Sequence, residues 1–108
     1  SSSRLIVSGN SAFYSSNNSL MGRLNAKNGK IVFLKEFTGK KWVKYHGPLL
    51  LQNKLLVLAT DKNAYWFSPE DGRLLNKEKL GKKISSPPVV VNKRLMFVSE
   101  DGMLNILN

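Results

Sequence analysis

Residues 87–108 read "PPVVVNKRLMFVSEDGMLNILN", and residues 48–68 read "PLLLQNKLLVLATDKNAYWFS". Laid over one another from Pro88 and Pro48, they match at a constant shift: Leu49-Leu50-Leu51 falls on Val89-Val90-Val91, Asn53-Lys54 on Lys93-Arg94, and Asp61 on Asp101. A third copy, "RLIVSGNSAFYSS" from Arg4, puts Leu5-Ile6-Val7 on the triple valine, Gly9-Asn10 on the turn and Phe13 on Phe97. The copies begin at Arg4, Pro48 and Pro88, a spacing of 44 and then 40 residues. Self-similarity at such a period marks a repeat architecture and decides the fold before any single residue does.

Each copy alternates short β-branched, aromatic and leucine-rich runs with turn chemistry, which predicts strands. The second copy gives strands over 49–52, 55–60, 64–68 and 73–80, separated by Asn53-Lys54, Asp61-Lys62-Asn63 and residues 69–72. The first gives 5–8, 12–16, 20–25 and 30–37, and the third stops at its third strand, 103–108. Asn28-Gly29, Asp71-Gly72 and Asp101-Gly102 supply positive φ cheaply, as tight hairpins require. The triplets "LIV", "LLL" and "VVV" lack alternation, which predicts innermost strands buried on both faces. A lone four-stranded sheet cannot bury both faces, so the period predicts an all-β chain, a partial β-propeller of about two and a half four-stranded antiparallel blades. The single fragment, 1–108, divides into copies over 4–47, 48–87 and 88–108, the last incomplete.

The 108 residues carry 17 Lys and Arg against 7 Asp and Glu, a formal charge of +10. The basic residues are scattered in ones and twos at turns and strand edges, as on a solvated surface with edge-protecting lysines. No recognition-helix or oligonucleotide-binding signature accompanies them, so nucleic acid is not the expected partner. The chain has no cysteine, which excludes disulfides and thiolate metal sites and leaves the compartment open. No apolar run approaches the ~18 residues of a membrane helix, and the start "SSSRLIV" reads as a processed or truncated piece.

The pattern "SSPPVVVNKRLMFVSEDGMLNILN", together with "LNAKNGKIVF" at residues 24–33, resembles the pyrroloquinoline-quinone-like (PQQ-like, quinoprotein-like) propeller repeat over essentially the whole chain. That family contains quinoprotein dehydrogenases, which hold the quinone and calcium at the ring centre, and non-enzymatic BamB-type scaffolds of outer-membrane β-barrel assembly. The dehydrogenases' docking pattern would place tryptophan at Phe33 and Asn76 and aspartate at Asn25 and Ser68, so both complete copies depart from it. A calcium and quinone site also needs convergent acids. The acids here are turn residues (Asp61, Glu70, Asp71, Glu100, Asp101) or strand residues expected to pair with lysine (Glu36, Glu78). The resemblance therefore implies the C-terminal part of a BamB-type scaffold, periplasmic and associated with the outer membrane. It implies no cofactor and no catalytic or metal-binding residue, with membrane contact only through a lipoprotein anchor absent from this chain. The alternative is a piece of a PQQ-dependent dehydrogenase whose active-site residues lie elsewhere.

Propeller topology puts the blade links 38–41 and 80–83 on the rim of the second-to-third strand turns, so Lys40, Lys41, Lys82 and Lys83 form a basic arc near Lys44. The longer first link, "KKWVKYHG", adds Trp42, Tyr45 and His46 among lysines, and aromatic residues flanked by cations suit protein anchoring. These eight residues are the candidate partner-binding set. His46 has no partners for a triad or zinc site in the sequence nearby, Ser85-Ser86 lacks a nucleophile-elbow context, and Trp66 beside Tyr65 and Phe67 is expected to pack between blades. Unpaired N–H and C=O groups on open blade edges predict self-association or a protein partner.

Overall fold

The computed structural model describes residues 4–15, 20–36 and 45–107. Among them the first sheet is β1 (Arg4–Ser8), β2 (Ser11–Ser15), β3 (Leu20–Asn25) and β4 (Ile31–Glu36), in that order and antiparallel throughout. The second is β5 (Tyr45–Leu51), β6 (Lys54–Ala59), β7 (Asn63–Phe67) and β8 (Leu74–Lys79), with the same order. The third is three-stranded: β9 (Val89–Val91), β10 (Arg94–Val98) and β11 (Leu104–Leu107). No helix occurs among the described residues.

Two-residue turns set the register. Gln52 and Asn53 have φ of 54° and 59°, and Asn92 and Lys93 have 50° and 64°. Two successive left-handed residues suit the right-handed twist of the flanking strands. The hairpin turn is thus Gln52-Asn53, one residue earlier than the sequence suggested, because Lys54 pairs with Leu51 inside the ladder. Gly9-Asn10 occupies the same place in the first sheet, closed by Ser8 opposite Ser11. Aligning these turns corrects the first copy by one residue: Ile6-Val7-Ser8, not Leu5-Ile6-Val7, is equivalent to Val89-Val90-Val91, and Tyr14 rather than Phe13 is equivalent to Phe97. In a strand that slip exchanges the two faces.

The faces follow from the alternation. In the second sheet Leu55, Val57 and Phe67 pack with Phe13 and Met21 of the first sheet. Leu56, Leu58, Ala64 and Trp66 pack with Ile84, Leu95 and Phe97 on the other side. Strand β6 is therefore buried on both faces, and each of its leucines contributes about 1.5–3 kcal/mol by leaving water. Trp66 lies between the second and third sheets and donates its indole N–H to Glu78 Oε1 at 3.2 Å. Glu78, expected to pair with a lysine, sits on Trp66's face diagonally across the ladder and is taken by the indole instead.

The apolar triplets do not behave alike. Leu49 and Leu51 are 5% and 3% exposed, whereas Leu5, Val7 and Val89 are 65%, 63% and 54% exposed. Burial on both faces thus fails in the first and third copies, because the middle sheet alone has a neighbour on each side. The exposed apolar surface of the end sheets lies on their outward faces.

At β5 the ladder shifts between His46 and Leu49, around the cis Gly47-Pro48 bond. Gly47 has φ 136°, and a Cβ there would meet the Leu56 carbonyl oxygen at 2.7 Å. Ser15 Oγ donates to the Gly47 carbonyl, tying the first sheet to this bulge. In chemical denaturation, Gly47→Ala is expected to lower stability by about 1–3 kcal/mol through backbone strain alone. Leu56→Ala is expected to cost about 2–5 kcal/mol through its cavity; a loss below about 1 kcal/mol in the latter would contradict a β6 packed on both faces.

Candidate interaction rims

One rim carries the β6–β7 and β10–β11 turns and the link between the second and third sheets. At its centre Asp61 Oδ1 accepts the Asn63 N–H at 3.1 Å, and Asp61 Oδ2 accepts the Tyr65 hydroxyl at 2.6 Å. Tyr45 lies beside Tyr65, ring centroids 6.4 Å apart at 59°, and Lys77 Nζ stands 6.0 Å from the Tyr65 ring centre. Burial, reinforced by the bond to Asp61, pushes the Tyr65 phenol up to about 12. Burial first, and the Asp61 charge second, also raises Tyr45.

On the other side of the same β6–β7 turn, Lys62 accepts the Leu80 N–H through its carbonyl at 2.8 Å. A shallow cleft of about 240 Å³ follows, lined by Lys62, Gly81, Lys82, Lys83, Ser99, Glu100 and Asp101. Lys82 Nζ reaches Asp101 at 3.2 Å and Lys83 Nζ reaches Glu100 at 3.7 Å. The Ser99 hydroxyl donates to Asp101, and this bond first, with Lys82 behind it, holds the Asp101 carboxyl below the usual range. Both ion pairs are exposed, and such pairs are worth about 0–1 kcal/mol, so the lysines keep their reach toward solvent.

The expected eight residues thus divide. Tyr45 joins Tyr65 and Asp61, Lys82 and Lys83 join Glu100 and Asp101, and His46 pairs opposite Leu58 within β5. Lys40, Lys41, Trp42 and Lys44 lie outside the described residues. Sequence reasoning missed the Asp61–Tyr65 bond; an acid and a tyrosine four apart across a hairpin turn were its signal.

The opposite rim carries the β1–β2, β5–β6 and β9–β10 turns and the β3–β4 and β7–β8 loops. A cleft of about 600 Å³ opens there, lined in part by Ser11, Phe13, Arg23, Leu50, Pro69 and Lys93. Arg23 is its polar centre: Nη1 donates to the Pro69 carbonyl at 2.7 Å, Nε to Ser11 Oγ at 3.1 Å, and the guanidinium lies 5.6 Å from the Phe13 ring centre. Ladder register puts Arg23, Trp66 and Ile106 at one repeat position. Arginine there exchanges an apolar plug for a strut between the first two sheets. Asp71, in the β7–β8 loop of this rim, is held below the usual carboxylate range chiefly by the Arg73 N–H. Among the described residues no group of three or more His, Cys, Asp or Glu could hold a metal ion.

No protein-family model and no curated protein sequence matches the chain. Solved structures do match in fold. BamB from Moraxella catarrhalis superposes with a TM-score of 0.66 at 20% identity over 95% of this chain and 32% of its own. The WD40 β-propeller domain of Doa1 superposes with a TM-score of 0.70 at 20% identity over 97% of this chain and 36% of its own. The chain is part of a β-propeller. Its three sheets are blades, and it spans about a third of either structure. The computationally designed Ika4 protein, 12% identical, gives a TM-score of 0.69 over 95% of this chain and 62% of its own. β-Propeller blades stand around a central channel, and the two rims lie at opposite ends of the blades.

The raised Tyr65 phenol has a signed consequence. Its folded value of about 12 lies above the unfolded value of about 10, so its contribution is complete below about pH 10 and disappears as the pH rises toward about 12. Urea unfolding of wild type and Tyr65→Phe across this range is expected to show the steeper loss in wild type. Lysine titration is common to both, so parallel curves would contradict the Asp61 bond.

Proposed function

We propose that the chain is a non-catalytic, protein-binding part of a propeller scaffold that serves outer-membrane β-barrel protein assembly from the periplasmic side. The observation that supports this most is the superposition on BamB over 95% of the chain, joined to the resemblance of its repeat to the PQQ-like one. Membrane contact in this reading is indirect, through a lipid anchor carried outside these residues. The working surface is the rim of Tyr45, Tyr65, Lys62, Lys82 and Lys83. Aromatic anchors give affinity when buried by a partner, and exposed lysines steer an acidic partner surface into place. His46 belongs to the strand that positions Tyr45.

Photo-crosslinking amino acids placed at Lys83 on this rim and at Lys93 on the opposite one test the reading in a Gram-negative cell. Adducts with a component of the barrel-assembly machinery from position 83, and not from position 93, are the expected result. Adducts from position 93 alone would move the surface to the Arg23 cleft, and adducts from neither position would remove the scaffold reading. The dehydrogenase alternative, whose active-site residues would lie outside this chain, is checked by thermal unfolding of the whole protein with PQQ and Ca²⁺. No shift is expected, whereas a ligand at 100 times its Kd would stabilise by about 2.7 kcal/mol.

A further inference from the structure

Two departures from the repeat meet at one cleft. The cleft of about 600 Å³ is lined by both Arg23 and Lys93, and it lies mainly on the seam between the first two blades, each of which has all four strands. Arg23 stands at the repeat position of Trp66 and Ile106. Lys93 stands at the second turn position, which Asn10 and Asn53 hold in the other copies.

The fold asks for neither cation. Asparagine is one of the few side chains that take left-handed backbone readily, yet Lys93 is held there at φ 64°, beside 59° at Asn53. At the Arg23 position an apolar plug packs without desolvating a charge. Breaks with the local pattern gather at functional sites, and here two of them bring the same charge to the same cleft.

Both cations are available. Arg23 spends Nη1 on the Pro69 carbonyl and Nε on Ser11, which fixes the guanidinium and leaves Nη2 without a bond among the described residues. No carboxylate answers either charge: the ion pairs among the described residues are those of Lys82 and Lys83, and no described acid lines the cleft. Ser8, Gln52 and Asn53 add hydroxyl and amide donors, while Phe13 and Leu50 give part of the wall an apolar character.

We propose that this cleft binds a phosphate monoester, with the phosphate answering Arg23 and Lys93 and the organic group lying over Leu50. Such a group carries about −1.5 to −2 charges and three strong acceptor oxygens, which suits two cations amid donors with no acid. A single carboxylate would leave one cation unanswered. The fixed guanidinium offers its remaining N–H groups in the fork geometry that phosphate oxygens accept. The site lies on the rim opposite the protein-binding one and does not rest on that reading. Its ligand is either a soluble phosphate ester or a lipid headgroup of the same chemistry.

Two measurements on the whole protein test the site and separate these sources. One is calorimetric titration with glycerol 3-phosphate. The other is flotation with phosphatidate vesicles, compared with vesicles of phosphatidylglycerol, a diester. Lys93→Asn restores the residue of the other copies and so keeps the turn, while Lys79→Gln removes the same charge from the exposed outer strand β8. Saturable titration marks a soluble ligand, and flotation with phosphatidate alone marks a headgroup. In either case Lys93→Asn is expected to weaken binding about tenfold, as loss of one charge-assisted bond does, and Lys79→Gln to leave it unchanged. Arg23→Gln is expected to weaken it at least as much, with circular dichroism checking that the strut's loss has not loosened the blades. Binding of neither probe, equal flotation with both kinds of vesicle, or equal weakening by Lys93→Asn and Lys79→Gln would each overturn the proposal.

Discussion

Strand β6 is the constraint on which the rest depends. Leu55 and Val57 face one way and Leu56 and Leu58 the other, so a single six-residue strand belongs to two cores at once. Each core reaches a different neighbouring blade, and among the described residues neither end blade has a second one. The middle blade thus orders the other two, and damage to β6 would release both together.

Polar links supplement this packing where apolar contact is thin. Arg23 replaces a plug at the position that Trp66 and Ile106 hold in the other blades, and it bridges to Pro69. Ser15 reaches the Gly47 carbonyl across the same seam. The seam between the second and third blades is closed at its rim differently, by backbone bonds from Ser85 and Glu100 and by the Lys82 and Lys83 pairs. One seam is therefore held by half-buried polar struts and the other by rim contacts, though the repeat is the same.

The same economy separates the rims chemically. One holds tyrosines around an acid with lysines beyond it, a surface suited to an acidic protein partner. The other holds a cleft of about 600 Å³ whose guanidinium is already fixed in place by the fold. The proposed protein-binding work of the chain accordingly lies on the first rim.

Length, turn chemistry and period determined the architecture from sequence alone: all-β, antiparallel blades, and Trp66 packed between them. Those features are local, since Asn-Gly and Asp-Gly turns and alternating apolar runs act over a few residues. Tertiary structure decided what depends on neighbours. "LIV", "LLL" and "VVV" have one composition, yet Leu49 and Leu51 are buried while Leu5, Val7 and Val89 are exposed, because burial is a property of the blade next door. Register in the first copy was decided by which two residues form the turn, and a shift of one reversed every side chain in it. The pairing of Asp61 with Tyr65 and of Lys82 and Lys83 with Asp101 and Glu100 likewise arose only where turns and links meet on one rim. Composition along the chain carries no record of such meetings.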